Sequence, residues 1–275
     1  MHFIPFGATK KHQGVQAIVK FSVLASGSSG NATFVATNRT RILVDAGLSF
    51  KELERRLAAI GETAQPFDAI LVTHEHADHV SGLLRTARKL KLKTPVYVSR
   101  LTHPSIDWEN TCVPVEMFQA GSEFAIGDIQ VESFTIPHDA IDPVGFRFCA
   151  EGVKLAVATD LGYIPESIKY RLQGCQAVLL ESNHDLEMLK VGPYPWAVKQ
   201  RVMGRNGHLS NLHVCDYLET EFDGATGTLI LGHLSEHNNH PEIVRMSAAQ
   251  ALEQRGLATR LVVAEQKNPT EVFRF

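Results

Sequence analysis

The sequence predicts a layered α/β protein whose strands carry polar side chains to one functional edge. Three observations predict this class. Short apolar runs recur along the 275 residues, many end directly in His, Asp or Glu, and helical patterns follow several of these ends. Hydrophobic residues make up 44% of the chain, which excludes a mostly disordered protein. No linker rich in Pro, Gly or Ser interrupts the pattern, so we expect an N-terminal tail at residues 1–17 and one domain at residues 18–275.

The apolar pattern also places the individual elements. Strands are predicted where apolar residues cluster between turn-forming residues, at 19–24, 33–36, 41–44, 68–73, 129–136, 154–159, 177–180, 226–231 and 260–264. Helices are predicted where apolar residues recur at helical spacing, at 50–60, 78–91, 211–221 and 241–254. In the first helix Leu53, Leu57 and Ile60 show this spacing, and Gly61 suits its C-terminal end.

Charge and cysteine content exclude several classes of protein. Lys and Arg number 27 and Asp and Glu number 30, so the formal charge of -3 excludes a broadly basic coat for nucleic acid but not a local basic patch. No apolar run approaches the roughly 20 residues of a membrane-spanning helix, and residues 1–20 lack the apolar stretch of a signal peptide. The four cysteines form no C-x-x-C pair and are typical of free thiols in a reducing compartment. We therefore expect a cytoplasmic protein with no membrane partner.

The strongest chemical signal is the segment His74-Glu75-His76-Ala77-Asp78-His79, called here the histidine-rich loop. It directly follows the apolar strand predicted at 68–73. Alternate residues of a tight loop can converge on one metal ion while their neighbours face a second, and two-metal hydrolases hold their ions roughly 3.5–4 Å apart. Imidazole and carboxylate ligands together suit zinc, manganese or iron. A histidine-rich surface loop without function is the weaker interpretation, because α/β sites lie at the polar ends of core strands.

Single polar residues at the ends of other strands strengthen this interpretation. His138, Asp160 and His233 each follow an apolar strand, as Asp45 does after the strand at 41–44. One histidine in such a place means little, but three residues at the same structural position beside a ligand-dense loop indicate one shared site. Two interpretations remain open for Asp45. It either forms the turn before Ala46 or accepts a hydrogen bond that orients a ligand histidine.

Together these residues resemble the five-motif signature of the metallo-β-lactamase superfamily, over nearly the whole chain from about Val19. The resemblance implies an αββα sandwich, in which two mixed β-sheets are flanked by helices and the metals lie at one edge. It implies a first ion held by His74, His76 and His138. A second ion would be held by Asp78, His79 and His233, and Asp160 would bridge the two. His76 stands where oxygen-reducing members usually carry Glu, which favours the hydrolase branch.

Five further segments resemble the YycJ/WalJ-like subfamily, at residues 25–31, 45–49, 181–185, 207–211 and 232–235. That subfamily is assigned as bacterial metal-dependent nucleases with 5′→3′ exonuclease activity on double-stranded DNA. The segment around His208 and Ser210 is also similar to the His-x-Ser/Thr element of tRNA 3′-processing nucleases. His237 departs from the pattern, since relatives carry an acidic residue there.

The implied chemistry is hydrolysis of a phosphodiester. Water between two cations becomes a hydroxide nucleophile near neutral pH, so Asp78 and Asp160 are predicted to be catalytic as well as ligands. His208 is predicted to give a proton to the leaving oxygen or to bind phosphate, with a histidine near a helix start as the alternative. Glu181, Asn183 and His184 all follow the strand predicted at 177–180. We expect them to support Asp160 or to position substrate.

Hydroxyl and amide groups near these ligands are candidate contacts for the substrate phosphate: Ser28, Ser29, Asn31, Ser210 and Ser235. Ser210 also suits the N-cap of the helix at 211–221. The serine-rich loop at residues 26–31 allows two interpretations, a backbone nest for an anion or a turn that packs against the histidine-rich loop.

The favoured function is a phosphodiesterase with two divalent ions, zinc or manganese before magnesium or iron, that acts on nucleic acid. DNA is the favoured partner, an exonuclease is the favoured type, and a homodimer would extend the small surface that grips substrate. A hydrolase of a small cyclic phosphodiester, thioester or lactone is the alternative. A scaffold without metals is disfavoured because buried, unpaired histidines and aspartates are costly.

Overall fold

The structure, a computed structural model, describes residues 18–108 and 111–275. The tail predicted at residues 1–17 lies outside the described residues. None of the helices in the described part of the chain has the length and apolar character needed to cross a membrane. The four cysteines are free thiols.

The described residues form fourteen strands and eight α-helices. The strands are β1 Lys20–Ala25, β2 Ala32–Ala36, β3 Arg41–Val44, β4 Ala69–Leu71, β5 Val96–Ser99, β6 Val115–Phe118, β7 Glu123–Ile126, β8 Ile129–Thr135, β9 Val144–Ala150, β10 Val153–Ala158, β11 Ala177–Glu181, β12 Thr228–Gly232, β13 Arg260–Val263 and β14 Phe273–Arg274. The helices are α1 Phe50–Ala59, α2 Ala77–Val80, α3 Leu83–Lys89, α4 Glu166–Leu172, α5 Leu186–Val191, α6 Trp196–Met203, α7 Asn211–Thr220 and α8 Pro241–Gln254.

Two seven-stranded mixed sheets organise these elements. The first has the order β14-β1-β2-β3-β4-β5-β6 and the second the order β13-β12-β11-β10-β9-β8-β7. In each sheet an antiparallel part continues into a parallel part, from β3 to β6 in the first and from β10 to β13 in the second. The predicted class, two mixed sheets flanked by helices, is therefore confirmed.

Three apolar clusters hold the layers together. The central cluster lies between the sheets and joins Phe21 of β1 to Phe146 and Phe148 of β9, all fully buried. A second cluster packs α4, α7 and α8 on the outer face of the second sheet, and a third packs α1 and α3 on the outer face of the first. Because burying one such side chain contributes about 1.5–3 kcal/mol, these clusters make a rigid frame for the loops at the sheet edges.

The helix predicted at 78–91 is wrong in one respect, because it is broken into α2 and α3 at Gly82. Its N–H donates to Ala46 O at 2.9 Å, and a Cβ at this position would lie 1.8 Å from Leu48 O. The turn after β3 thus packs directly against the backbone at Gly82 and interrupts the helix there. Strands β5, β6, β7, β9 and β14 and helices α4 to α6 were absent from the prediction, and all of them except β9 are short.

The directions of the strands bring the ends that carry the candidate ligands to one edge of the sandwich. The carboxyl ends of the parallel strands β3 and β4 meet there, as do those of β10, β11 and β12. Strand β8 is antiparallel to β9, which is antiparallel to β10, so β8 ends at the same edge. The residues that follow these strands therefore converge although they lie far apart in the sequence.

Candidate metal centre

Three of the residues at strand ends have left-handed backbone conformations: Asp45, Asp160 and His233, with φ of 60°, 61° and 55°. Such a conformation costs a residue other than glycine about 1–2 kcal/mol. It persists only where the surroundings enforce it, and it clusters at functional sites. Here the sharp turn aims each side chain across the edge of the sandwich.

The first group of converging side chains contains His74, His76 and His138. Their ligand atoms lie within 4.8 Å of one another. The ring of His74 is 4.6 Å from that of His76 and 5.1 Å from that of His138, measured between centroids. Three imidazoles at this separation form one face of a site for a divalent ion.

The second group contains Asp78, His79, Asp160 and His233, and its ligand atoms also lie within 4.8 Å of one another. Asp160 Oδ2 is 3.3 Å from His79 Nε2, and its other oxygen is 3.9 Å from His138 Nε2 of the first group. Asp160 thus stands between the two groups. That is the place the resemblance assigned to a bridging ligand.

Four of these histidines share one hydrogen-bond pattern. In each, Nδ1 pairs with an oxygen outside the two groups: His74 with Thr73 Oγ1 at 3.0 Å, His79 with Asp45 Oδ2 at 2.7 Å, His138 with Gly207 O at 3.1 Å and His233 with Glu181 Oε1 at 2.7 Å. Such partners fix the ring orientation of metal-binding histidines and leave Nε2 for the ion. His138 Nε2 lies 3.2 Å from His76 Nδ1 and so faces the other histidines of the first group. The pattern fits a metal centre.

Two buried polar atoms in the cluster have no hydrogen-bond partner in the described part of the chain. They are His74 Nε2 and Asp160 Oδ2, on residues that are 0% and 2% exposed. Asp160 Oδ2 still has His79 Nε2 at 3.3 Å. The cost of about 1–3 kcal/mol for an orphaned buried polar atom therefore applies to His74 Nε2, and an ion bound there would remove it. The donor set of nitrogens and carboxylates suits zinc or manganese.

The electrostatics of the cluster favour positive charge. Burial alone would raise the pKa of Asp160, but the charges of His233 and His79 outweigh it and hold that pKa well below its usual value. Burial alone would lower the pKa of His233, but the carboxylate of Asp160 and hydrogen bonds to Asp78 and Glu181 raise it to about 10. The carboxylates therefore create a potential that attracts protons, and a divalent cation would gain from the same field.

Asp45 is hydrogen-bonded to His79, which agrees with the interpretation that it orients a ligand histidine. Its carboxylate accepts from His79 Nδ1, from Thr73 N at 2.9 Å and from the Thr73 hydroxyl. The hydroxyl of Thr73 also lies 3.0 Å from His74 Nδ1. Thr73 was missed in the sequence, and its place directly before the histidine-rich loop is the signal that could have found it.

Glu181, at the end of β11, is fully buried and accepts four hydrogen bonds. Oε1 accepts from His208 Nδ1 at 2.8 Å and from His233 Nδ1 at 2.7 Å. Oε2 accepts from the backbone N–H groups of Leu161 at 2.9 Å and Leu209 at 3.0 Å. Burial would raise the pKa of Glu181, yet His208 and His233 lower it to about 2, so the group is a carboxylate. It supports Asp160 only through the backbone of the next residue, and its direct partners are the two histidines.

A cleft of about 350 Å³ opens over the two groups. His208, Ser28 and Ser235 line it together with ligand residues such as Asp78 and Asp160. The Nδ1 of His208 is bonded to Glu181, so Nε2 is the nitrogen that can contact a substrate in the cleft.

Two residues at the mouth of the cleft were missed as site residues, Tyr194 and Arg201. Arg201 is bonded to Asp139, the residue after His138. Tyr194 packs edge-on against His237, with ring centroids 6.0 Å apart. The stiff Pro-Tyr-Pro sequence was the signal for Tyr194, whereas nothing in the sequence marked Arg201 as different from other surface cations.

The serine-rich loop packs against the histidine-rich loop, as its turn interpretation held. Asn31 N–H donates to Asp78 O at 2.7 Å, and Asn31 Nδ2 lies 3.0 Å from both Asp78 Oδ2 and His79 Nε2. Asn31 is 7% exposed, and its side chain is bonded to Asp78 and His79, so its predicted contact with substrate phosphate stays a prediction. Ser29 lies outside the cleft, while Ser28 lines it.

Ser210, another phosphate candidate, is 1% exposed, and its hydroxyl accepts from His213 N at 3.2 Å as the N-cap of α7. Its predicted contact with phosphate stays a prediction. His184 is likewise buried and does not line the cleft. Asn183 does line the cleft, and its amide donates to His233 O at 2.8 Å. Ser210 and His184 are buried because the start of α7 and the loop after β11 pack together, where Asn211 N–H donates to His184 O at 2.9 Å.

Residues 40–233 match the family model described as the β-lactamase superfamily domain. The chain belongs to the β-lactamase superfamily. The predicted superfamily is thereby confirmed, and the matched residues include every ligand candidate from His74 to His233.

The relatives of this superfamily member are also informative. "Exodeoxyribonuclease YycJ" of Bacillus anthracis is 39% identical over 259 residues, which cover 92% of this chain and 97% of that protein. "Exodeoxyribonuclease WalJ" of Streptococcus pneumoniae is 36% identical over 243 residues, which cover 86% of this chain and 90% of that protein. The predicted YycJ/WalJ-like subfamily is confirmed.

Solved structures of the superfamily share the fold at low sequence identity. The metallo-β-lactamase fold protein YhfI from Bacillus subtilis superposes with a TM-score of 0.70 at 15% identity, over 94% of this chain and 100% of that one. The short form of human tRNase Z superposes with a TM-score of 0.63 at 14% identity, over 91% of this chain and 98% of that one. These likenesses show the αββα architecture and nothing about substrate.

Proposed function

We propose that the chain is a divalent-metal-dependent exonuclease that hydrolyses phosphodiester bonds of DNA from the 5′ end of a duplex. The observation that carries the proposal is the convergence of five histidines and two aspartates in one cleft, with Nδ1 of four of the histidines held from outside. The exodeoxyribonuclease names of the two bacterial relatives support DNA as the substrate.

Two divalent ions, zinc or manganese, fit the residues present. His74, His76 and His138 would hold one ion; Asp78, His79 and His233 would hold the other; and Asp160 would contact both. When bound, such ions supply an acidic water and neutralise charge on the phosphate oxygens.

The side chains around the ligands have roles of their own. His208 Nε2 faces the cleft and is placed to protonate the leaving oxygen, while Glu181 keeps its ring oriented. Ser28 and Ser235 also line the cleft and would offer polar groups to a bound phosphate. Arg201 lines the cleft while paired with Asp139, and its guanidinium has further N–H groups for an anionic strand.

The test is nuclease activity of chelator-treated protein to which Mn²⁺, Zn²⁺ or Mg²⁺ is returned. The substrates are duplex DNA, single-stranded DNA and RNA, each labelled at the 5′ or the 3′ end. We expect metal-dependent release of 5′-labelled mononucleotide from duplex DNA and a content of two ions per chain. A protein that holds metal but cleaves none of these polymers would refute the proposal and leave a small phosphodiester or thioester as the substrate.

Replacing His208 with alanine tests its role as a proton donor. An alkoxide leaving group needs a proton whereas p-nitrophenolate does not, so the variant should slow DNA cleavage by about 10²–10⁴-fold and slow hydrolysis of bis(p-nitrophenyl) phosphate far less. The matched control is His213→Ala, an exposed histidine five residues away and outside the cleft. Equal losses on both substrates would show that His208 does not donate the proton.

A further inference from the structure

A second and larger cavity adjoins the metal cleft. This side cavity has a volume of about 710 Å³ and shares two lining residues with the cleft, Ser28 and Ser235. Its volume is within the range of about 300–1,000 Å³ that binding sites for small molecules span. Ser28 and Ser235 therefore lie at the boundary of the two spaces, beside which the next chemical group of a chain would lie when its phosphate is in the cleft.

The wall between the two spaces is fixed from both sides. Gln266, in the loop after β13, accepts from Ser29 N–H at 2.9 Å and donates to Gly30 O at 3.0 Å. The hydroxyl of Ser26 accepts from His233 N–H at 2.7 Å. These bonds pin the serine-rich loop to the opposite half of the molecule, so the side cavity is formed before any ligand enters.

The lining of the side cavity disfavours an anion. Three carboxylates and two cations line it: Glu52, Glu236, Glu265, Arg56 and Lys267. The guanidinium of Arg56 is already bonded to the carbonyl oxygens of Leu24 and Gln266, at 2.9 Å and 2.7 Å, and is 3.4 Å from Glu52. A phosphate would meet an excess of negative charge here, whereas the metal centre attracts it.

The remaining lining suits a group that is apolar on its faces and polar at its edges. Leu48, Leu234 and Ala264 offer apolar contact. Asn268 donates to Glu265 through its amide nitrogen and offers its amide oxygen as an acceptor, beside the carboxylates of Glu236 and Glu265. A nucleoside has this character, because its base has apolar faces and its edges and sugar carry groups that donate hydrogen bonds.

We propose that the side cavity binds the nucleoside next to the phosphate held at the metal centre. The inference rests on the proposed function, since it takes nucleic acid as the substrate. It assigns a separate task to each space: the cleft binds and cleaves the phosphodiester, and the side cavity positions one adjoining sugar and base.

The test uses inhibition of bis(p-nitrophenyl) phosphate hydrolysis, a reaction that requires the metal centre but no nucleoside site. We expect a deoxynucleoside 5′-monophosphate to inhibit about tenfold more strongly than inorganic phosphate. Filling the side cavity with Ser29→Trp or Asn268→Trp should remove this difference, leave inhibition by phosphate unchanged and raise the KM for DNA by a similar factor. Ser167→Trp, on the exposed face of α4, is the matched control and should behave as the unmodified protein.

The outcomes separate this inference from the proposed function. Equal inhibition by phosphate and by the nucleotide, or a difference that persists in both tryptophan variants, would overturn the nucleoside site even if the protein degrades DNA. Failure to cleave any polymer would overturn the proposed function, whatever the inhibition shows.

Discussion

The Asp160→Asn variant should lose metal-dependent cleavage by about 10³-fold or more, equal to ~4 kcal/mol of transition-state stabilisation. The physical reason is the position of its carboxylate, which lies 3.3 Å from His79 Nε2 and 3.9 Å from His138 Nε2 and so faces both ligand groups. The asparagine side chain has nearly the same volume as that of aspartate but no negative charge. Its NH₂ group replaces one carboxylate oxygen and cannot bind a cation. The measurements are kcat/KM for DNA and the metal content of the purified variant, which should fall below two ions per chain.

The matched control for this variant is Asp128→Asn. The carboxylate of Asp128 also accepts several hydrogen bonds, from Thr37, Thr40 and Arg39, but lies in the turn between β7 and β8, outside the cleft. We expect this control to lower thermal stability without changing the metal content. If Asp160→Asn retains two ions and most of its activity, Asp160 is not a ligand shared by the two groups.

The Glu181→Gln variant should lose metal affinity or activity by about 10–100-fold. Both oxygens of Glu181 act only as acceptors, toward two histidine Nδ1–H groups and two backbone N–H groups. Glutamine replaces one of these oxygens with a donor, so at least one N–H group faces another donor. His208 and His233 then lose the partner that fixes their rings. Competition with a chelating dye measures the metal affinity, and thermal unfolding measures the accompanying loss of stability, about 1–3 kcal/mol.

Glu132→Gln is the control for this second variant. Glu132 is also mostly buried and pairs with Arg147 and Arg171, but it lies on β8 outside the cleft. Removing its charge should reduce stability and leave metal affinity intact. A Glu181→Gln protein that matches this control in metal affinity would limit Glu181 to a structural role.

Much of the metal centre was predictable because several of its candidate ligands lie close together in the sequence. The histidine-rich loop places three imidazoles and two carboxylates within six residues, and the apolar strand before it marks the edge of a sheet. His138, Asp160 and His233 could be added because each follows a strand, and parallel strand ends share an edge. The superfamily resemblance then supplied the sandwich of two mixed sheets flanked by helices, which short apolar runs could not specify.

Side-chain accessibility was not predictable, because it depends on which loops meet. Ser210 begins a helix, as its residue type indicates, yet whether its hydroxyl reaches substrate depends on how α7 packs. The break at Gly82 similarly arises from the turn after β3, which lies more than 30 residues earlier in the chain.

The sequence by itself determined the kinds of ligand, their order along the chain and their places at strand ends, since residue type and apolar period are properties of short segments. Only the tertiary structure decided which atom each side chain offers. Glu181 meets His208 across 27 residues and His138 meets the carbonyl of Gly207 across 69, and these contacts select the nitrogen that faces the cleft. The side cavity has the same origin, because four segments that are distant in the chain enclose it and no one of them forms a recognisable site alone.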